Sequence, residues 1–136
     1  MPPDHVLNLH VPVLLSTGAV VALQGGLTRH TAGCLCSTAH LLCQGHRPHL
    51  IVDLRHLVSC DTDGVDALIS VRELTGHHRG GVRLAALPDE PPHRGLRTAL
   101  ATHFTLFPTL TAACEHWPPD TPKAAVPPST RAPRPP

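Results

Sequence analysis

The sequence predicts an α/β fold with a mixed sheet of four or five strands and about four helices, packed mainly on one side. Three observations carry this expectation. Short runs of branched apolar residues alternate with segments of helical periodicity. One run, Leu50-Ile51-Val52-Asp53-Leu54, is nearly unbroken, the pattern of a strand buried on both faces. The segments between strands are long enough for a helix that crosses between parallel strands.

The elements follow in order. Residues 11–15 and 19–24 are apolar runs separated by Ser16-Thr17-Gly18, a hairpin pattern, and Gly25-Gly26 should end the second strand. Residues 31–44 carry Leu35, Ala39, Leu42 and Cys43 at helical spacing. Thr31 is suited to cap the start of that helix and Gly45 to follow its end. The buried strand at 50–54 should lead through a loop at 56–60 to Asp61-Thr62-Asp63-Gly64. Val65, Leu68, Ile69, Val71 and Leu74 then mark a helix ending near Gly76. Gly80-Gly81 introduces a strand at 82–87, and 88–92 reads as a loop. A weaker helix is expected over 95–103, a short edge strand over 104–107 and a last helix over 109–117. The opening hairpin makes the sheet mixed, and the crossovers should be right-handed.

The domain should therefore occupy residues 1–117. Residues 118–136 hold half of the sixteen prolines and show no apolar period, so they are expected to form a disordered tail.

Composition excludes several function classes. The aromatic residues are Phe104, Phe107 and Trp117, too few for the stacking platforms of single-stranded nucleic acid binding. Formal net charge is +1 with histidine neutral and there is no basic stripe, so neither nucleic acid nor an anionic membrane is an expected partner. No apolar run approaches the roughly 20 residues needed to span a bilayer. The first ten residues lack a basic region followed by an apolar one, so a cytoplasmic location is expected. Five cysteines, at 34, 36, 43, 60 and 114, would there be thiols.

Three segments together resemble the STAS domain of anti-sigma factor antagonists. Val20-Val21-Ala22-Leu23-Gln24-Gly25-Gly26-Leu27-Thr28 is similar to the family's apolar strand followed by Gly-Glu-Leu-Asp. Residues 50–54 with Asp61-Thr62-Asp63-Gly64-Val65 resemble its apolar-Asp-Leu strand, spacer and Asp-Ser-Ser/Thr-Gly-Leu. Gly80-Gly81-Val82-Arg83-Leu84 is similar to its Gly-Gly strand entry. The resemblance implies a protein that binds an anti-sigma factor and so releases a sigma factor. It implies a partner with an ATP-binding serine/threonine kinase fold, admits a phosphatase as a second partner, and points to a bacterial source. It also implies no enzymatic activity and no cofactor.

Carried over residue by residue, the phosphorylation site is Thr62. The partner-binding surface comprises Gly26, Thr28, Asp61, Thr62, Asp63, Gly64 and Asp66. It is built by the loop 25–31, the turn 59–64 and the first turn of the next helix. Thr62 or Asp63 should cap that helix. A phosphate on Thr62 adds about −1.5 to −2 charge, which the helix N-terminus tolerates and the three aspartates oppose. The chain departs from the pattern in having Thr for Ser, Asp63 for the second hydroxyl, and Gly26 and Thr28 for the acids of the first loop. Asp63 therefore leaves open a protein held constitutively in one state, or one binding a partner unrelated to sigma factors.

Two rival readings remain. Cys34, Cys36, His40, Cys43 and His46 offer soft ligands for a metal or redox site, with Cys36, His40 and Cys43 on one helical face. Against it, paired Cys-x2-Cys knuckles are missing and the run lies within an amphipathic helix, so no metal is expected. Asp53, Asp61 and Asp63 would be the acids of an enzyme site, but no nucleophile, phosphate-cradling loop or metalloprotease motif accompanies them. Asp53 is expected to be a structural residue at a strand end.

Overall fold

A computed structural model of the chain describes residues 7–117. The tail expected over 118–136 lies outside the described residues. The elements are β1 (Leu7–Leu14), β2 (Gly18–Leu27), α1 (Ala32–Gln44), β3 (His49–Cys60), α2 (Thr62–His77), β4 (Gly81–Ala85), α3 (Arg94–His103), β5 (Leu106–Phe107) and α4 (Leu110–Cys114). A 3₁₀ turn, Pro91–His93, leads into α3.

The strands lie side by side in chain order, β1-β2-β3-β4-β5. β1 is antiparallel to β2 and every other neighbouring pair is parallel. Because the order never reverses, successive right-handed crossovers place their helices on the same face. Leu35 and Ala39 of α1, Leu68 and Val71 of α2, and Leu100 of α3 accordingly join one core with Val21, Leu50, Val52, Leu54 and Leu84. The helix after the last strand has no strand to return to. α4 lies on the opposite face, where Ala113 packs with Val20, Ile51 and Ala85. The mixed sheet with helices mainly on one side is thus as expected.

Several boundaries differ, each for a local reason. β2 runs through Gly25-Gly26 to Leu27, with Gly25 at φ 111°. The expected loop at 56–60 is strand: His56 pairs with Gln24, Leu57 with Gly25, Ser59 with Gly26 and Cys60 with Leu27. Two irregularities in that ladder break the period-two pattern that would have announced it. β4 stops at Ala85 because Ala86 turns left-handed at φ 62°. β5 begins only at Leu106, since Phe104 ends α3 and is buried in the core. α4 stops at Cys114, beyond which Glu115 is extended.

Arginine takes over packing tasks that a chain poor in aromatics leaves open. The Arg83 guanidinium donates to the carbonyls of Ala113 (2.7 Å) and Glu115 (2.8 Å) and lies 5.2 Å from the centroid of the Phe107 ring. It closes α4 onto the sheet. Arg72 does the same for α3, donating to His103 O at 2.7 Å and sitting 5.6 Å from the Phe104 centroid. Arg83→Ala should cost about 2 kcal/mol in urea unfolding, from the lost charge-assisted bonds and ring contact. Arg83→Lys should recover less than half of that, because an ammonium cannot reproduce the fork.

Candidate functional site

The turn singled out in the sequence sits directly at the end of β3, between β2 and β4 in the sheet. Asp61 is the N-cap of α2. Its extended backbone (φ −92°, ψ −175°) lets Oδ1 accept from Gly64 N at 2.8 Å. Thr62 or Asp63 was expected to cap; Asp61 does so instead because it is the last residue outside helical geometry. Thr62 and Asp63 fill the first two helical positions, and both are exposed. Asp66 is exposed one turn on. Asp61, Thr62, Asp63 and Asp66 are therefore brought together on one surface at the positive end of α2.

Beneath this surface the turn is pinned. Asp61 N donates to Leu27 O at 3.2 Å, tying the start of α2 to the end of β2. Gly64 is buried, and a Cβ there would lie 2.2 Å from Leu27 O and 2.8 Å from Cys60 Sγ. The helix approaches the strand end so closely that only glycine fits. Burial, and after it the Asp61 carboxylate, push the Cys60 thiol up to about 12.

The neighbouring loop is built from below in the same way. Thr31 Oγ1 donates to Gly26 O at 2.7 Å and accepts from Thr28 N at 2.9 Å. Thr31 therefore braces the loop and makes no side-chain cap to α1, contrary to expectation. Gly26 and Thr28, expected on the binding surface, are buried. They shape the loop, while Arg29 and His30 present its exposed side chains. A motif marks chain position and does not tell which residues of a loop face outward.

The rival sites do not assemble. Among the described residues no three His, Cys, Asp or Glu side chains are placed to hold a metal ion. Cys43 is buried in the core while His40 is exposed and faces Gln44 at 3.1 Å, so the α1 run splits between two surroundings. Burial raises the Cys36 and Cys43 thiols above the usual range. Asp53 is not at a strand end. It lies mid-β3, is buried, and its carboxylate accepts from Arg55 N (3.0 Å) and Nη2 (3.2 Å).

The geometry yields two expectations. Asp61→Ala should cost about 1 kcal/mol of stability, the usual worth of a side-chain cap. Gly64→Ala should cost more, about 1–3 kcal/mol, because backbone must move; urea unfolding of both variants ranks them. Cys60 stays protonated at pH 8, so iodoacetamide followed by mass spectrometry should label the exposed Cys34 and Cys114 well before it. The sign for stability follows: a thiol whose folded pKa is raised favours the folded state below the ordinary thiol range. That contribution declines as pH rises from there toward 12.

The arrangement matches known proteins. Residues 10–113 fit the family model of the STAS domain. Comparison with curated protein sequences yields no match. Among solved structures, an anti-sigma factor antagonist from Mycobacterium paratuberculosis is similar at a TM-score of 0.68 and 23% identity, over 85% of this chain and 97% of that one. The Bacillus cell fate determinant SpoIIAA in its phosphorylated form is similar at a TM-score of 0.61 and 16% identity, over 80% and 98% of the two chains. The murine anion transporter Slc26a9 is similar at a TM-score of 0.57 and 12% identity, over 74% of this chain and 18% of the transporter. No helix among the described residues is long and apolar enough to cross a membrane. Matched across the sheet and the helices that cover it, this chain belongs to the STAS domain family.

Proposed function

We propose that this protein is a cytoplasmic, bacterial anti-sigma factor antagonist. It binds an anti-sigma factor of the ATP-binding kinase type through the surface at the start of α2, and phosphorylation of Thr62 releases it. The observation that carries this reading is Thr62 itself: an exposed hydroxyl at the first helical position, on a turn whose backbone is anchored to β2. The similarity to anti-sigma factor antagonists supports it.

The physics of the switch is local. The unmodified surface offers a partner a neutral hydroxyl flanked by Asp61 and Asp63, with helix amides behind them. A phosphate adds about −1.5 to −2 charge to that cluster. It competes with Asp61 for the amides of the first turn, and it repels the neighbouring carboxylates. The anchoring bonds below are untouched, so the domain stays folded while the surface becomes more negative and changes shape. A phosphatase would reverse the step. A stable complex over this surface would bury about 1,200–2,000 Å² in total.

Asp63 favours a second reading. Its exposed carboxylate beside Thr62 supplies a permanent negative charge, which suits a protein held in one state without modification, its partner sigma-related or not.

Binding of wild-type, Thr62→Ala and Thr62→Glu chains to a candidate anti-sigma kinase separates the two. The switch predicts that Thr62→Glu weakens binding by about tenfold or more, ~1.4 kcal/mol, and that Thr62→Ala does not. All three should unfold at similar urea concentrations, because Thr62 makes no side-chain hydrogen bond among the described residues. Equal affinity of all three, with no phosphate transferred to Thr62 by the kinase, would select the constitutive reading.

A further inference from the structure

We propose that the opposite edge of the sheet, where the parallel strands begin, binds a small phosphorylated molecule between the ends of α1 and α2. Two adjoining cavities lie there. The smaller, about 210 Å³, is lined by Thr17, His46, His49, His78 and Arg79 among others. The larger, about 390 Å³, shares His49 and Arg79 with it and extends past Gly80 and Arg83 to Thr105 and Trp117. No Asp or Glu lines either cavity. The nearest acids along the chain, Asp53, Glu73 and Glu115, are absent from both linings.

Three independent features point to a ligand. The first is an unengaged guanidinium. Arg79 is exposed, as are His46 and His78 beside it, and no hydrogen bond or ion pair among the described residues engages their side chains. Arg83, by contrast, is committed to Ala113 O and Glu115 O.

The second is backbone conformation. α1 and α2 both end with a left-handed residue, His46 at φ 64° and Arg79 at φ 65°. Around them Arg47 N donates to Leu42 O and Gly80 N donates to Thr75 O, closing both helices in the same way. Glycine is the inexpensive residue at this position. A glycine stands beside each, Gly45 before His46 and Gly80 after Arg79, yet the left-handed place is held by a side chain that can donate hydrogen bonds both times. A positive group near a helix C-terminus has a structural use of its own, which the test below must separate.

The third is an orphaned donor. Thr17 Oγ1 is buried without a hydrogen-bond partner, and Thr17 lines the smaller cavity.

A guanidinium fork, imidazole N–H groups and a hydroxyl form the donor set that phosphate oxygens accept from. The smaller cavity has room for the phosphate. The larger would hold the remainder of the molecule, with Trp117 as an apolar wall. This site lies at the far end of α2 from Thr62 and does not depend on the sigma-factor reading.

The test is titration of the full chain with inorganic phosphate and with phenyl phosphate, against sodium chloride at matched ionic strength. Amide shifts at His46, Gly80 and Gly81 report the site, and Trp117, the single tryptophan, reports the ring of phenyl phosphate by fluorescence. Saturable phosphate shifts that chloride does not reproduce, with tighter binding of phenyl phosphate, are expected. Arg79→Gly should weaken binding by about tenfold or more while Tm stays equal or rises, because glycine suits the left-handed backbone. A purely structural cation predicts the reverse, lowered Tm and unchanged binding. Thr17→Val provides a second arm: it removes a hydroxyl that bonds nothing, so stability holds and phosphate affinity falls. Identical shifts with chloride, or wild-type affinity in both variants, would overturn the proposal.

Discussion

The interior position of β3 is the constraint on which the rest of the molecule depends. Leu50, Ile51, Val52 and Leu54 are fully buried, with alternate residues belonging to the two cores on opposite faces of the sheet. Parallel neighbours reached by helical crossovers leave a strand covered on both faces. Here the neighbours follow in chain order, and that order decides which face the helices cover. It also removes the crevice that a reversal of strand order opens in doubly wound sheets. At the exit of β3 the fold offers an exposed surface formed by turns.

The turn at residues 61–64 shows how such a surface is held at fixed shape while remaining exposed. Support comes from below: the Leu27 carbonyl accepts from Asp61 N, Gly64 allows close approach, and the Cys60 thiol fills the remaining space. Polar side chains above carry no part of that support except Asp61, whose carboxylate is shared between surface and cap. A change of charge at Thr62 therefore acts on a rigid frame. The response is confined to the first turn of α2, where the macrodipole is strongest. Gly26 and Thr28 are buried and keep the adjoining loop in place through Thr31.

The fold and the turn were legible in the sequence because both rest on strong local signals. Continuous branched residues at 50–54 mark an interior strand, and helical spacing from Val65 to Leu74 marks the helix it feeds. The misread places share a different physics. The last residues of β3 pair irregularly with β2, so their alternation is scrambled although their hydrogen bonds are strand-like. Thr31 resembles a cap by type and position, but two loop groups compete successfully for its hydroxyl. Gly45 caps the end of α1 as expected, and the left-handed turn follows one residue later on His46. Each error arose where one residue had two satisfactory uses and tertiary context chose between them.

The net charge of +1 conceals a separation that matters for function. Acids gather at the strand-exit edge, with Asp61, Asp63 and Asp66 around the start of α2. Cationic Arg79 and Arg83 lie at the strand-entry edge, beside the imidazoles of His46, His49 and His78. α2 has both charge clusters at its ends, about 24 Å apart by helical rise. Carboxylates at its N-terminus and cations at its C-terminus each complement the helix dipole, so the separation stabilises α2 as well as defining two surfaces. A rigid helix joining two charged surfaces does not by itself couple them, because coupling requires an element with two arrangements. Leu68 and Val71 hold α2 in the core, and no second arrangement of the helix is seen. The two edges are therefore free to serve separate ligands, and substitutions at one should leave the chemistry of the other intact.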